Sequence, residues 1–128
     1  MPKYIEDDIV KYNDKIMVIK EPRDGSHFDL FCPQEGSVYC LVDVEEIKPI
    51  PITPEILEKN RWKKKMYCDW CHYLPIEGNI LYLSKGIGID GAFSVDVGQG
   101  MSHIACISFV HQLQHLFFGF GLSSKMEV

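Results

Sequence analysis

The chain reads as an α+β protein with an N-terminal SH3-like antiparallel sheet, a short helix, a second antiparallel meander and a C-terminal helix packed on the sheet. Three observations predict this. Short runs of β-branched and aromatic residues, separated by turn residues, fill positions 8–47 and again 66–110. Pro49, Pro51 and Pro54 break the chain between those blocks. Only two stretches, 54–60 and 108–122, carry helical periodicity or helix-end signals. With 128 residues and 46% hydrophobic content the parts fit one compact domain, the first sheet in 1–52, the short helix in 53–62 and the second sheet with its helix in 63–128.

DIVKY (8–12) and KIMVIKE (15–21) flank Asn13-Asp14, a pair suited to a two-residue hairpin turn. FDLFCP and SVYCLVDVEEI read as two more strands around a turn at 34–36, and four or five short strands this close together suggest a curled SH3-like sheet. Thr53 followed by Pro54 forms an N-cap with proline at the first helical position, so PEILEKN (54–60) is helical and Asn60 is its stop. MYCDWCHYL, NILYLS, GAFSVDV and HIACISFV then alternate with glycine-rich turns as an antiparallel meander. Lys125 to Val128 is short enough for a final edge strand.

In SFVHQLQHLFFGFGL (108–122), Val110, Leu113, Leu116, Phe117 and Phe120 share one arc of the helical wheel and predict a stripe buried on the second sheet. His111, Gln112, Gln114, His115 and Phe118 take the opposite arc, predicting an exposed face with two histidines one turn apart beside an aromatic ring. Gly119 and Gly121 supply left-handed conformations that end the helix, with Leu122 placed for the accompanying apolar contact.

The formal charge of −5 opposes whole-surface attraction to nucleic acid or to an anionic membrane. Residues 1–65 hold 11 of the 13 basic and 13 of the 18 acidic side chains, so the charge-poor second half must bury itself or meet a partner. No secretory signal is expected, because MPKYIEDD offers no apolar run, and no segment approaches the roughly 20 apolar residues of a membrane span. Five cysteines without a framework spacing predict reduced, mostly buried thiols in a cytoplasmic setting.

Cys68-x-x-Cys71 with His72, and His111-x3-His115 some forty residues later, imitate a zinc site. The gap exceeds the dozen or so residues of a compact finger, and in a regular strand Cys68 and Cys71 point to opposite faces, so packed thiols are expected and no metal or other cofactor. HQLQH has Gln112 where the HExxH helix carries its catalytic glutamate, and an amide is no general base. Gly86, Gly88 and Gly91 satisfy GxGxxG, yet a strand follows where a phosphate-binding helix should start. Asp69, Asp90 and Asp96 stand singly and no nucleophile is joined to a base, so catalysis is not expected. Lys59, Arg61, Trp62, Lys63, Lys64 and Lys65 form the one basic segment, able to track phosphates while Trp62 stacks a base, or else a solvated helix exit with Trp62 in the core.

Residues 45–62, EEIKPIPITPEILEKNRW, and 107–128, ISFVHQLQHLFFGFGLSSKMEV, resemble a group of small proteins carried by phages and mobile elements of Bacteroides-type gut bacteria. That group pairs a "PIPLTPEIL" segment followed by "NGF" with a terminal "YVHQLQ" helix. Residues 49–57 and 110–114 match, while Arg61 stands for the glycine, Trp62 for the phenylalanine and Phe109 for the tyrosine. The resemblance covers about half the chain and implies an origin inside a bacterial host cell, with no catalytic residue to carry over.

Together these features lead us to expect a non-catalytic phage or prophage accessory protein of anti-defence type. It would bind a host protein, a small signalling ligand or a second copy of itself through His111, Gln114, His115 and Phe118, with no membrane partner. The alternative is a nucleic-acid-binding accessory protein using residues 59–65.

Overall fold

Asn13 and Asp14 adopt φ of 52° and 60°, the left-handed pair that a type I′ turn requires, and close the first hairpin where the sequence places it. The computed structural model describes residues 4–24, 26–64, 71–76, 78–85, 93–98, 102–123 and 125–128. The chain divides into two compact units, Met1–Ile50 with Phe109–Met126, and Pro51–Ser108 with Glu127–Val128. Both are built on antiparallel sheets, and the chain is α+β.

The first unit holds β1 (Ile9–Tyr12), β2 (Lys15–Asp24), β3 (His27–Cys32), β4 (Ser37–Asp43) and β5 (Lys48–Pro49), in the order β4-β3-β2-β1-β5. Val10, Met17, Ile19, Leu30 and Cys32 are fully buried, and Tyr4, Phe28, Val42 and Ile47 complete the core around them. SVYCLVDVEEI is not one strand. The Asp43 carboxylate accepts the Glu45 N–H at 3.0 Å and caps a 3-10 turn, Val44–Glu46, which redirects the chain so that Pro49 pairs with Val10 of β1. On β4, Leu41 adopts φ 54° at a register shift, and its N–H is accepted by the buried Asp29 carboxylate, which Arg23 also contacts at 2.6 Å.

Helix α2 (Val110–Gly119) belongs to this first unit, correcting its expected place on the second sheet. Its start is set by the Phe109 N–H, which donates to the Gln112 side chain at 3.1 Å. Its end is a Schellman motif: Leu122 N–H donates to the Phe117 carbonyl at 2.9 Å and Gly121 N–H to that of Phe118 at 3.0 Å. Gly121 alone takes the left-handed conformation, φ 74°, while Gly119 stays in the helix.

The second unit begins with α1 (Pro54–Lys59), whose Thr53 hydroxyl accepts the Ile56 N–H at 3.3 Å. It too ends in a Schellman motif, with Trp62 N–H on the Leu57 carbonyl and Arg61 N–H on that of Glu58. Here Arg61 holds the left-handed position, φ 72°, and Trp62 and Leu57 are buried. A meander follows: β6 (Lys63–Lys64), β7 (Cys71–Ile76), β8 (Asn79–Lys85), β9 (Phe93–Val97) and β10 (Ser102–Ile107), hydrogen-bonded in chain order. Leu81 and Leu83 stand opposite Val97 and Val95, and Leu81, Leu83 and Val95 are fully buried. Residues 125–128 form no strand. The Asn60 side chain instead fastens Glu127, donating to its carbonyl at 2.7 Å and accepting its N–H at 2.8 Å.

Candidate functional site

The most distinctive geometry of the first unit lies where the arm before β1 meets α2. Asp7 N–H donates to the Ile19 carbonyl at 2.8 Å and Ile19 N–H donates to the Asp8 carbonyl at 2.9 Å, so two residues oppose one. This bulge, with Asp7 at φ 74°, leaves Asp7 exposed while Asp8 is buried. The Asp8 carboxylate accepts the Ile5 N–H at 2.8 Å and sits 2.8 Å from His115 Nε2, which is the donor when Asp8 is ionised. Burial raises the Asp8 pKa, and the bonds from Ile5 and His115 oppose that rise.

Gln114 follows the same arm from the helix side. Its side-chain oxygen accepts the Ile9 N–H at 2.8 Å and its nitrogen donates to the Asp7 carbonyl at 2.9 Å. One carboxamide thus pairs with the two backbone groups flanking Asp8, as a peptide group of a neighbouring strand would. Gln114 is 2% exposed, not an outward residue.

His111 is also buried, contrary to its predicted exposure. Its ring lies 5.0 Å from that of Tyr4, 6.0 Å from Phe109 in a stacked arrangement and 5.6 Å from His115. Burial, and secondarily the neighbouring His115, pushes its pKa down to about 4, so it is a neutral core aromatic at neutral pH. Neither His111 Nδ1 nor the Tyr4 hydroxyl has a hydrogen-bond partner among the described residues.

Of the four predicted binding residues, the outward ones are therefore His115, which is partly exposed, and Phe118, which is 70% exposed. Both line a groove of about 290 Å³ with Ile5, Glu6, Asp7, Asp8 and Gln114. No protein-family model, curated protein or solved structure matches this chain. The groove's own chemistry has to carry the functional reading. The acidic arm is invisible to periodicity and motif spacing, because Glu6-Asp7-Asp8 belongs to no helical stripe and no ligand pattern. Its signal was three consecutive carboxylates set directly before a strand.

The basic segment lies on the second unit. Lys59, Arg61, Lys63 and Lys64 are exposed, and Lys65 lies outside the described residues. Trp62 is 2% exposed, so its ring offers no surface for a base, which corrects the stacking role given to it. Cys68, Asp69 and the glycine loop 86–91 also lie outside the described residues. Cys71 and His72 are buried in β7, and no group of three or more metal-binding side chains occurs among the described residues. No helix among them is long and apolar enough to cross a membrane.

Proposed function

We propose that the chain is a non-catalytic phage or prophage accessory protein of anti-defence type. It acts inside the bacterial host cell by holding a host protein or signalling ligand at the groove formed by Ile5, Asp7, His115 and Phe118. The first sheet serves as an SH3-like platform, a meander whose last strand returns beside its first after a 3-10 turn. The observation that supports the reading is Phe118, a large ring 70% exposed beside a groove whose floor groups, Asp8, Gln114 and His115, are fixed by hydrogen bonds. An exposed ring on a rigid base is the arrangement expected of a binding hot spot.

Affinity capture from a bacterial lysate with wild-type protein and Phe118→Ala tests this. Loss of a specific captured species in the variant, with unchanged thermal stability, is the expected result. Identical capture by both proteins refutes the groove. The nucleic-acid alternative retains four exposed cations but not its stacking ring. It requires binding that falls steeply with salt and disappears when Lys63, Lys64 and Lys65 become glutamate.

A further inference from the structure

We propose that the groove takes an arginine side chain presented by a protein partner. This rests on the binding role just given and supplies its chemistry. Two hollows on the first unit differ in sign. The one beside the hairpin turn, about 370 Å³, mixes Lys11 and Lys48 with Asp14 and Glu46 and has no preference for either charge. The groove at α2 is lined by Glu6, Asp7 and Asp8, and among the described residues its only basic side chain, His115, is already hydrogen-bonded to Asp8. Glu6 and Asp7 are exposed and form no ion pair with a described residue. The unit around them carries 11 acidic against 7 basic side chains, so its field also favours a cation.

The apolar part selects among cations. Ile5 and Phe118, 43% and 70% exposed, offer carbon surface for methylenes and a ring face for a flat cation. A guanidinium is planar, weakly hydrated and able to fork between two carboxylates, whereas an ammonium is compact and holds its water. A space of about 290 Å³ suits one long side chain better than a drug-sized molecule. Asp7 is also pre-positioned, because its N–H is held by Ile19 and its carbonyl by Gln114.

The test is a titration of acetyl-Gly-Arg-Gly-amide, and of the same peptide with citrulline, into the isotope-labelled full chain, following the amides of Glu6, Asp7 and Phe118. The arginine peptide should give saturable shifts, and citrulline should bind about tenfold more weakly. Asp7→Asn, which keeps the left-handed backbone, and Phe118→Ala should each weaken arginine binding by about tenfold without altering thermal stability. Equal binding of citrulline, or no shift up to about 10 mM peptide, overturns the proposal. Shifts that instead depend on protein concentration and vanish in Arg61→Ala make the partner a second copy of the chain, which keeps the arginine assignment and overturns the host-protein role. If Phe118-dependent capture of a host protein persists while the arginine peptide fails, the arginine assignment falls alone. If neither occurs, the binding role falls with it.

Discussion

Replacing Gln114 should show whether a single carboxamide holds the arm of the first sheet. In Gln114→Leu the Ile9 N–H, in a buried residue, loses its acceptor and the Asp7 carbonyl loses its donor. An orphaned buried donor costs about 1–3 kcal/mol and a second lost hydrogen bond about 1 kcal/mol, so the variant should be about 2–4 kcal/mol less stable, even though leucine fills a similar volume. Gln114→Glu should be worse at neutral pH. Its carboxylate can accept from Ile9 but faces the Asp7 carbonyl with no proton to donate, beside the buried Asp8. Its pKa is then raised in the folded state, so stability returns as pH falls and the acid regains its proton. Urea unfolding of the three proteins at pH 7 and pH 5 gives the ranking, and hydrogen exchange of the Ile9 amide locates the effect. A Gln114→Leu variant within about 0.5 kcal/mol of wild type, with Ile9 equally protected, would refute the latch.

Neutral His111 gives a second prediction. With its pKa lowered to about 4 in the folded state, the unfolded chain takes the proton first, so stability is full above about pH 6.5 and falls by up to about 3 kcal/mol towards pH 4. Asp8, whose pKa is raised, acts in the opposite sense at the acid end, so the comparison is with His111→Phe, whose unfolding midpoint should depend less on pH. Arg61→Gly should stabilise the chain by about 0.5–1 kcal/mol in urea unfolding by relieving a left-handed φ of 72°. Trp62→Ala should cost about 3–5 kcal/mol by emptying a core position, measured by the same unfolding assay; a neutral effect would restore the ring to the surface.

The turns of this fold were legible because their chemistry is local. Asn13-Asp14, Thr53-Pro54 and Gly121 each act within a few residues, and each stands in the conformation its residue types favour. The second meander followed from its alternating strands, although β6, two residues long, carried no signal of its own. The face of α2 was not legible. Its buried residues run from Leu113 through Phe117, Val110 and Gln114 to His111, an arc turned by roughly a fifth of a turn from the apolar one. Phe120 is 41% exposed as a result. A helical wheel sends every polar residue outward, yet Gln114 finds its partners 105 and 107 positions away in sequence, a separation that no local pattern encodes.

The reason a glutamine is inside lies in the shortness of β5. That strand spans only two residues and pairs with Val10 and Lys11, so the edge of β1 at Ile9 has no strand beside it. Gln114 supplies the missing pairing group there, and Asn60 does the same for Glu127 in the other unit. In the first unit this repair touches the proposed groove. The carbonyl that Gln114 holds belongs to Asp7, the exposed carboxylate assigned to the groove. Loosening the latch should therefore release Asp7 as well as destabilise the arm. Two variants on one helix then separate position from contact: Phe118→Ala weakens arginine binding and keeps stability, whereas Gln114→Leu weakens both.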